Sequence, residues 1–171
     1  MTIETPNSEA DVLTITRVFD VAMPLAWDLW TKEEHLSQWF GMPGAPFKVK
    51  TLDVRPGGLF LYGMAMPGGV TMWGKWVFRE IDAPTRLAYV VSFCNEAGDP
   101  VRHPMAPLWP LEVMAVQTLS AQDGKTLFES RSYPINATPE ECAIFRAGHA
   151  SMQMGMAGTF GALDAYLVKL K

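Results

Sequence analysis

From residue 11 to residue 20 the sequence DVLTITRVFD alternates apolar and polar positions and carries β-branched side chains, which predicts a strand. Pro24 suits the first turn of a helix and LAWDLW follows it. A second short helical piece, EEHLSQW, covers 33–39. The stretch Gly41-Met42-Pro43-Gly44-Ala45-Pro46 cannot continue a helix and ends this pair. Strands are then predicted over 47–55, 58–66, 70–81, 86–95, 111–121 and 125–134. Their separators are turn chemistry: Pro56-Gly57-Gly58, Pro67-Gly68-Gly69, Ala83-Pro84 and Asp123-Gly124. Turns this short join antiparallel neighbours, because parallel pairing needs a long crossover. One connection stands apart. Residues 96–110, EAGDPVRHPMAPLWP, hold four prolines and no periodicity, and a connection of this length reads as a flap.

The last third reads as helix. Thr138 is a side-chain cap, Pro139 takes the first helical position and Glu141 follows three residues after the cap. The helix is expected to run to about residue 170, with a break near Gly148. Along it His149, Met152, Met156, Phe160, Leu163, Leu167 and Leu170 recur in steps of 3, 4, 4, 3, 4 and 3, one face of an α-helix. A second stripe is small: Gly148, Ser151, Gly155, Gly158, Ala162 and Ala165. A glycine inside a helix costs about 1 kcal/mol against alanine, so tertiary packing has to hold this one. Small residues permit close approach to a sheet or to a ligand, and close packing on the sheet is the plainer expectation.

Strand parity separates two faces. Phe60, Tyr62, Met64 and Met66 share a side, as do Met72, Gly74, Trp76 and Phe78, and Leu87, Tyr89, Val91 and Phe93. These aromatic sides are expected to face the long helix. The implied fold class is α+β: six or seven antiparallel strands curved around one long C-terminal helix, with two short helices after the first strand. One helix cannot fill a strongly bent sheet, so a cavity is expected. A dry void of about 400 Å³ would cost near 10 kcal/mol on the core-truncation scale, which favours an occupant. Trp39, Phe40 and Trp109 belong near its mouth. With Phe60, Tyr62, Trp76, Tyr89, Phe93, His149, Met152, Met156 and Phe160 they make up the predicted ligand-binding set, apolar with a few polar points.

Composition narrows the function classes. The chain has 171 residues, enough for a single domain over 1–171, with the polar residues 1–10 expected to be flexible. It is 49% hydrophobic and 19% charged, which rules out a disordered chain. A net charge of −4 argues against nucleic acid as a partner. No apolar run approaches the roughly 20 residues that span a bilayer, and no membrane partner is expected. The start, MTIETPNSEADVL, lacks the pattern of a signal peptide. Cys94 and Cys142 read as reduced thiols of a cytoplasmic protein. No histidine sits at ligand spacing beside either cysteine, the glycine pairs end in strands, and no serine elbow occurs. No metal and no cofactor is therefore expected. The 11 Met, 6 Trp, 9 Phe and 4 Tyr suit either a loosely specified core or a core with a hole in it.

Five stretches resemble one family along nearly the whole chain: LTITRVFDVAMPLAWDLWTKEEHLSQWFG, VRPGGLFLYGM, GKWVFREIDAPTRLAYVVSF, DGKTLFESR and SMQMGMAGTFGALDAYL. They are similar to the bacterial homologues of the activator of the ninety-kilodalton heat-shock protein ATPase, in the START-like, birch-pollen-allergen-like (SRPBCC) superfamily. The resemblance implies the helix-grip fold. It implies no single function, since relatives include polyketide cyclases and aromatases, lipid and hormone carriers and the co-chaperone domain. It supplies no catalytic motif.

Of the histidines, His35 reads as a surface residue and His103 as a solvated loop residue. His149 reads as a satisfied rim histidine, or alternatively as a ligand or acid–base contact. Arg17, Arg55, Arg79 and Arg131, with Asp53, Glu80 and Glu129, are expected to pair on the outer sheet face. The expected function is binding of a small, largely apolar ligand, aromatic or lipid-like, without covalent chemistry and with no catalytic residue. The alternatives are a cyclase, aromatase or hydratase using His149 or Tyr62, and a chaperone-interacting module. A second apolar sheet face, Leu59, Leu61 and Val90, would support a homodimer.

Overall fold

The computed structural model describes residues 3–42 and 44–171; Met1, Thr2 and Pro43 lie outside them. The first strand, β1 (Leu13–Phe19), is followed by α1 (Met23–Thr31) and α2 (Glu33–Trp39). A meander of six strands comes next: β2 (Phe47–Leu52), β3 (Leu59–Ala65), β4 (Thr71–Asp82), β5 (Arg86–Cys94), β6 (Glu112–Gln122) and β7 (Lys125–Ile135). Two helices, α3 (Pro139–Ala147) and α4 (His149–Lys169), complete the chain. The sheet order is β1-β7-β6-β5-β4-β3-β2, antiparallel throughout. Every predicted strand is present within a few residues, because alternation and turn chemistry agree. At the β6–β7 turn Asp123 (φ 51°) and Gly124 (φ 78°) both take positive φ, the type I′ geometry that an Asp-Gly pair favours.

Register shifts at Lys50 in β2 and Arg79 in β4 bend the sheet. The concave face carries Phe47, Phe60, Tyr62, Trp76, Phe78, Leu87 and Tyr89, as parity predicts. They form one core with Phe160, Leu163 and Leu167 of α4 and with Trp30, Leu36 and Trp39 of the short helices. The helix-grip fold is therefore present. Thr138 caps α3 through the Glu141 N–H at 3.2 Å, and the helical stretch breaks at Gly148. A Cβ at Gly148 would meet Trp109 Cζ3 at 3.1 Å, so a small residue is needed where the two helices join.

Other expectations are corrected. The glycine stripe of α4 does not press on the sheet. A Cβ at Gly155, Gly158 or Gly161 would meet nothing within 4 Å. The first half of α4 stands off the sheet, and only its second half is anchored by buried Phe160, Leu163 and Leu167. Residues 3–11, mostly exposed, make several contacts with the rest of the chain. Ile3 joins Val90, Met114, Tyr133 and Ile135 on the convex face, and Tyr133 Oη donates to the Glu4 carbonyl at 2.7 Å. That segment buries Val90, and Gly98 lies against Leu61, so two of the three residues expected to support a homodimer are covered by their own chain. Arg79 and Arg131 pair with this segment, at Glu4 (3.7 Å) and Glu9 (2.8 Å). Arg55 pairs with Asp53 at 2.6 Å and Glu80 with Arg86 at 3.2 Å. Arg17 belongs to the concave parity of β1 instead, where it pairs with Asp164 of α4 over the Phe19 and Phe160 rings.

The connection 96–110 is held at both ends. Lys50 Nζ donates to the Glu96 carbonyl at 2.8 Å, and Arg102 lies 3.4 Å from Glu141 while donating to the Trp109 carbonyl at 3.2 Å. Among the described residues no helix is long and apolar enough to cross a membrane.

Candidate functional site

Where α4 stands off the sheet a cavity of about 350 Å³ remains. Its floor is the concave face of β5, β6 and β7: Tyr89, Val91 and Phe93, then Val113, Ala115 and Gln117, then Phe128, Ser130 and Ser132. Leu13 and Ile15 of edge strand β1 close one side. Tyr62 and Trp76, with Trp30, Trp39 and Phe40 from the short helices, close the other. Met152, Gly155 and Met156 form the roof, and Phe145 with Trp109 stands at the α3 end. Ile15 and Met156 also border a solvent-facing groove of about 330 Å³ that contains Arg17, so they partition the two spaces.

The aromatic wall is a set of fixed contacts. Trp76 stacks on Tyr89 with centroids 4.0 Å apart at 16°. Phe40 meets Trp76 edge-on at 5.2 Å and Tyr62 edge-on at 5.2 Å. Trp30 stacks on Phe128 at 5.0 Å, and Trp109 tilts on Phe145 at 5.4 Å. Such pairs hold rings in place beyond their area burial. Trp39 Nε1 donates to the Leu29 carbonyl at 3.0 Å, which leaves its ring for the wall. Gly74 sits opposite Tyr62 in the β3–β4 register, and a Cβ there would lie 2.7 Å from Tyr62 Oη. The glycine is what lets the Tyr62 ring lie across β4.

Polar groups gather on one part of the floor. Gln117 is 7% exposed, and its Nε2 donates to Tyr89 Oη at 2.5 Å. Ser130 is its direct partner across the β6–β7 ladder, and Ser132 pairs with Ala115. Burial pushes the phenols of Tyr62 and Tyr89 well above the ordinary tyrosine value, so both are neutral near pH 7. None of the residues that line the cavity carries a formal charge. Among the described residues no three His, Cys, Asp or Glu side chains come together as a metal site.

Nine of the twelve residues predicted to bind ligand stand in this wall: Trp39, Phe40, Tyr62, Trp76, Tyr89, Phe93, Trp109, Met152 and Met156. Three do not. Phe60 is wholly buried behind the wall, packed on Phe40, Tyr62 and Trp76. Phe160 lies below it, edge-on to Phe19 at 5.2 Å and Phe128 at 5.4 Å. His149 shares the helical phase of Met152, but as the first residue of α4 it lies beyond the end of the cavity, beside Asp11. Its Nε2 donates to the Asp11 carbonyl at 3.3 Å, and its ring meets Phe145 at 5.3 Å. His35 is half-buried, 2.8 Å from Tyr166 Oη through Nδ1, and His103 lies edge-on to Phe93 at 4.9 Å. Sequence reasoning missed the floor: Leu13, Ile15, Val113, Ala115, Gln117, Phe128, Ser130 and Ser132, with Trp30, Phe145, Gly155 and Val91. Phasing β1, β6 and β7 as the aromatic strands were phased would have found most of these.

A family model for Activator of Hsp90 ATPase homolog 1-like protein matches residues 20–168. The chain belongs to this family. Its fold is shared with several solved structures. A Mycobacterium smegmatis protein, Ms6760, is 24% identical with a TM-score of 0.76, over 97% of this chain and 96% of that one. A protein of Arthrobacter aurescens is 25% identical with a TM-score of 0.77, over 98% and 93%. DynU16, from the dynemicin biosynthetic locus, is 16% identical with a TM-score of 0.64, over 94% of this chain and 48% of that one. No curated protein matches the chain.

Proposed function

We propose that this family member binds a small, largely apolar, ring-containing ligand in the cavity between sheet and α4, and does no covalent chemistry on it. The observation that carries this reading is the 350 Å³ space with its aromatic wall. The space is open to solvent on one side, so water enters it without the cost of a sealed void, but there it meets mostly apolar surface and few hydrogen-bonding partners. A guest that covers this surface releases that water. An apolar cavity of about 150 Å³ accommodates benzene, so this one has room for about fourteen non-hydrogen atoms, the size of two or three fused rings. The observation against the acid–base alternative is that His149 lies outside the lining and that no charged side chain in it could exchange a proton with the Tyr62 phenol.

The test is titration with 1-naphthylamine, a probe uncharged at pH 7 and within the stated size, whose emission shifts to shorter wavelength in apolar surroundings. Energy transfer from the six tryptophans reports binding to the chain, and the variant below reports whether the site is the cavity. One probe per chain is expected, with affinity at least tenfold weaker in an Ala115→Leu variant that fills part of the floor. Absence of binding, or equal binding by both proteins, would overturn the reading.

A further inference from the structure

The few polar atoms of the cavity narrow its ligand class further. Gln117 is more than nine-tenths buried and borders the space. Its Nε2 is engaged by Tyr89, but its Oε1 makes no hydrogen bond among the described residues. On its far side Gln117 borders only a hole of about 10 Å³, room for one water at most. Ser130, opposite Gln117, and Ser132, two residues along β7, add hydroxyls on the same face and also make no side-chain hydrogen bond among the described residues. Among the described residues the one fully sequestered side-chain oxygen without a partner is Glu4 Oε2, so solvent reaches the Gln117 oxygen; a guest that covers it without a donor loses that hydration, and a hydroxyl supplied by the ligand replaces it.

Charge is absent on the same wall. Cations outside the lining are already engaged: Arg86, which borders the same small hole as Gln117, pairs with Glu80 at 3.2 Å. Arg17 lies beyond Ile15 and Met156, paired with Asp164, and Arg102 is held by Glu141 and the Trp109 carbonyl. An ionised carboxylate or sulfonate carried into the cavity would lose its water and meet no counter-charge.

We propose that the cavity selects uncharged ring compounds carrying a single hydroxyl group, with that hydroxyl seated on Gln117 Oε1 beside Ser130 and Ser132. This rests on the ligand-binding reading above and adds its polarity. Naphthalene-sized rings fit the volume, and the aromatic wall supplies their faces.

The experiment uses one scaffold in three polar states. 2-Naphthol, naphthalene and 2-naphthoate compete against 1-naphthylamine on the full chain at pH 7. The expected order is naphthol tightest, naphthalene about 3- to 10-fold weaker, as one net hydrogen bond gives, and naphthoate at least about 100-fold weaker than naphthol, as an unpaired buried charge requires. In Gln117→Leu the naphthol advantage over naphthalene should disappear while naphthalene binds as before. The double variant Ser130→Ala, Ser132→Ala should shrink that advantage if Gln117→Leu fails to fold. Naphthoate within tenfold of naphthol, or a naphthol advantage that survives both variants, would overturn the proposal and leave ligand binding standing. Failure of every compound, the reporter included, would overturn the binding reading and this inference with it.

Discussion

Replacing Ala115 by Leu separates a hollow core from a filled one by the sign of its effect. Ala115 is 5% exposed on the concave face of β6, between Tyr89 on β5 and Ser132 on β7, and it borders the cavity. In a close-packed interior such an enlargement costs about 1–3 kcal/mol through strain. Here the added carbons enter space already present. At about 0.8 kcal/mol for each buried methylene the gross gain is about 2.4 kcal/mol. Fixing a leucine rotamer returns about 0.5–1 kcal/mol of it. The net expectation is a stabilisation of about 1.5–2 kcal/mol, or about 3–8 °C in Tm for a chain of this length. Guanidinium denaturation of ligand-free protein, refolded from denaturant, measures it, with an unchanged m-value showing that the same surface is exposed. The variant should therefore be more stable and a poorer binder at once. A loss of 1 kcal/mol or more would mean that the floor around Ala115 is packed solid, and the reasoning from cavity to ligand would fall.

Gly74→Ala should destabilise by about 1–3 kcal/mol, because the new methyl group would stand 2.7 Å from the Tyr62 hydroxyl and must displace the ring. Gly155→Ala, with open space around its Cβ, should instead stabilise by about 1 kcal/mol through helix propensity, and denaturation curves showing the same sign for both would refute this account. His149→Ala should leave probe affinity within twofold of wild type, since the imidazole is bonded to the Asp11 carbonyl outside the wall; a tenfold loss would return it to the site. Alkaline pH should unfold the protein. Burial raises the Tyr62 and Tyr89 phenols and the Cys94 thiol, so the folded state keeps protons that the unfolded chain releases. Stability is then fully present below the unfolded values, near 9 for the thiol and 10 for the phenols, and falls as pH rises through and above them. Ultraviolet titration of tyrosine alongside circular dichroism checks this, and ionisation of all four tyrosines near pH 10 with the fold intact would contradict it.

Much of the fold was legible because several local signals agreed. Alternation marked β3, β4 and β5, Asp123-Gly124 set the β6–β7 hairpin, and Thr138-Pro139 set the start of α3. The aromatic side of the site was legible for the same reason, since parity puts Tyr62, Trp76, Tyr89 and Phe93 on one face whatever lies above them. Helix phase was a weaker guide. Extended upward from Phe160, it placed His149 on the face of Met152, but phase does not tell where along the helix the cavity ends, and at the first residue of α4 the imidazole meets Asp11 instead. The contacts of the polar N-terminal segment were not legible either, because its partners are remote in sequence: Ile3 joins the convex cluster, and Glu4 and Glu9 pair with Arg79 and Arg131.

Local rules thus determined the elements, their antiparallel pairing and which side chains share a face, since these depend on neighbours a few residues apart. Only the tertiary structure decided how far α4 stands from the sheet, and with it whether Met152, Gly155 and Met156 close a space or fill one. That distance follows from packing among residues remote in sequence: Phe160 and Leu163 against the sheet, Trp109 against Gly148 and Phe145, Trp30 against Phe128. No periodicity encodes it, because a cavity is the volume that many separately placed side chains fail to occupy.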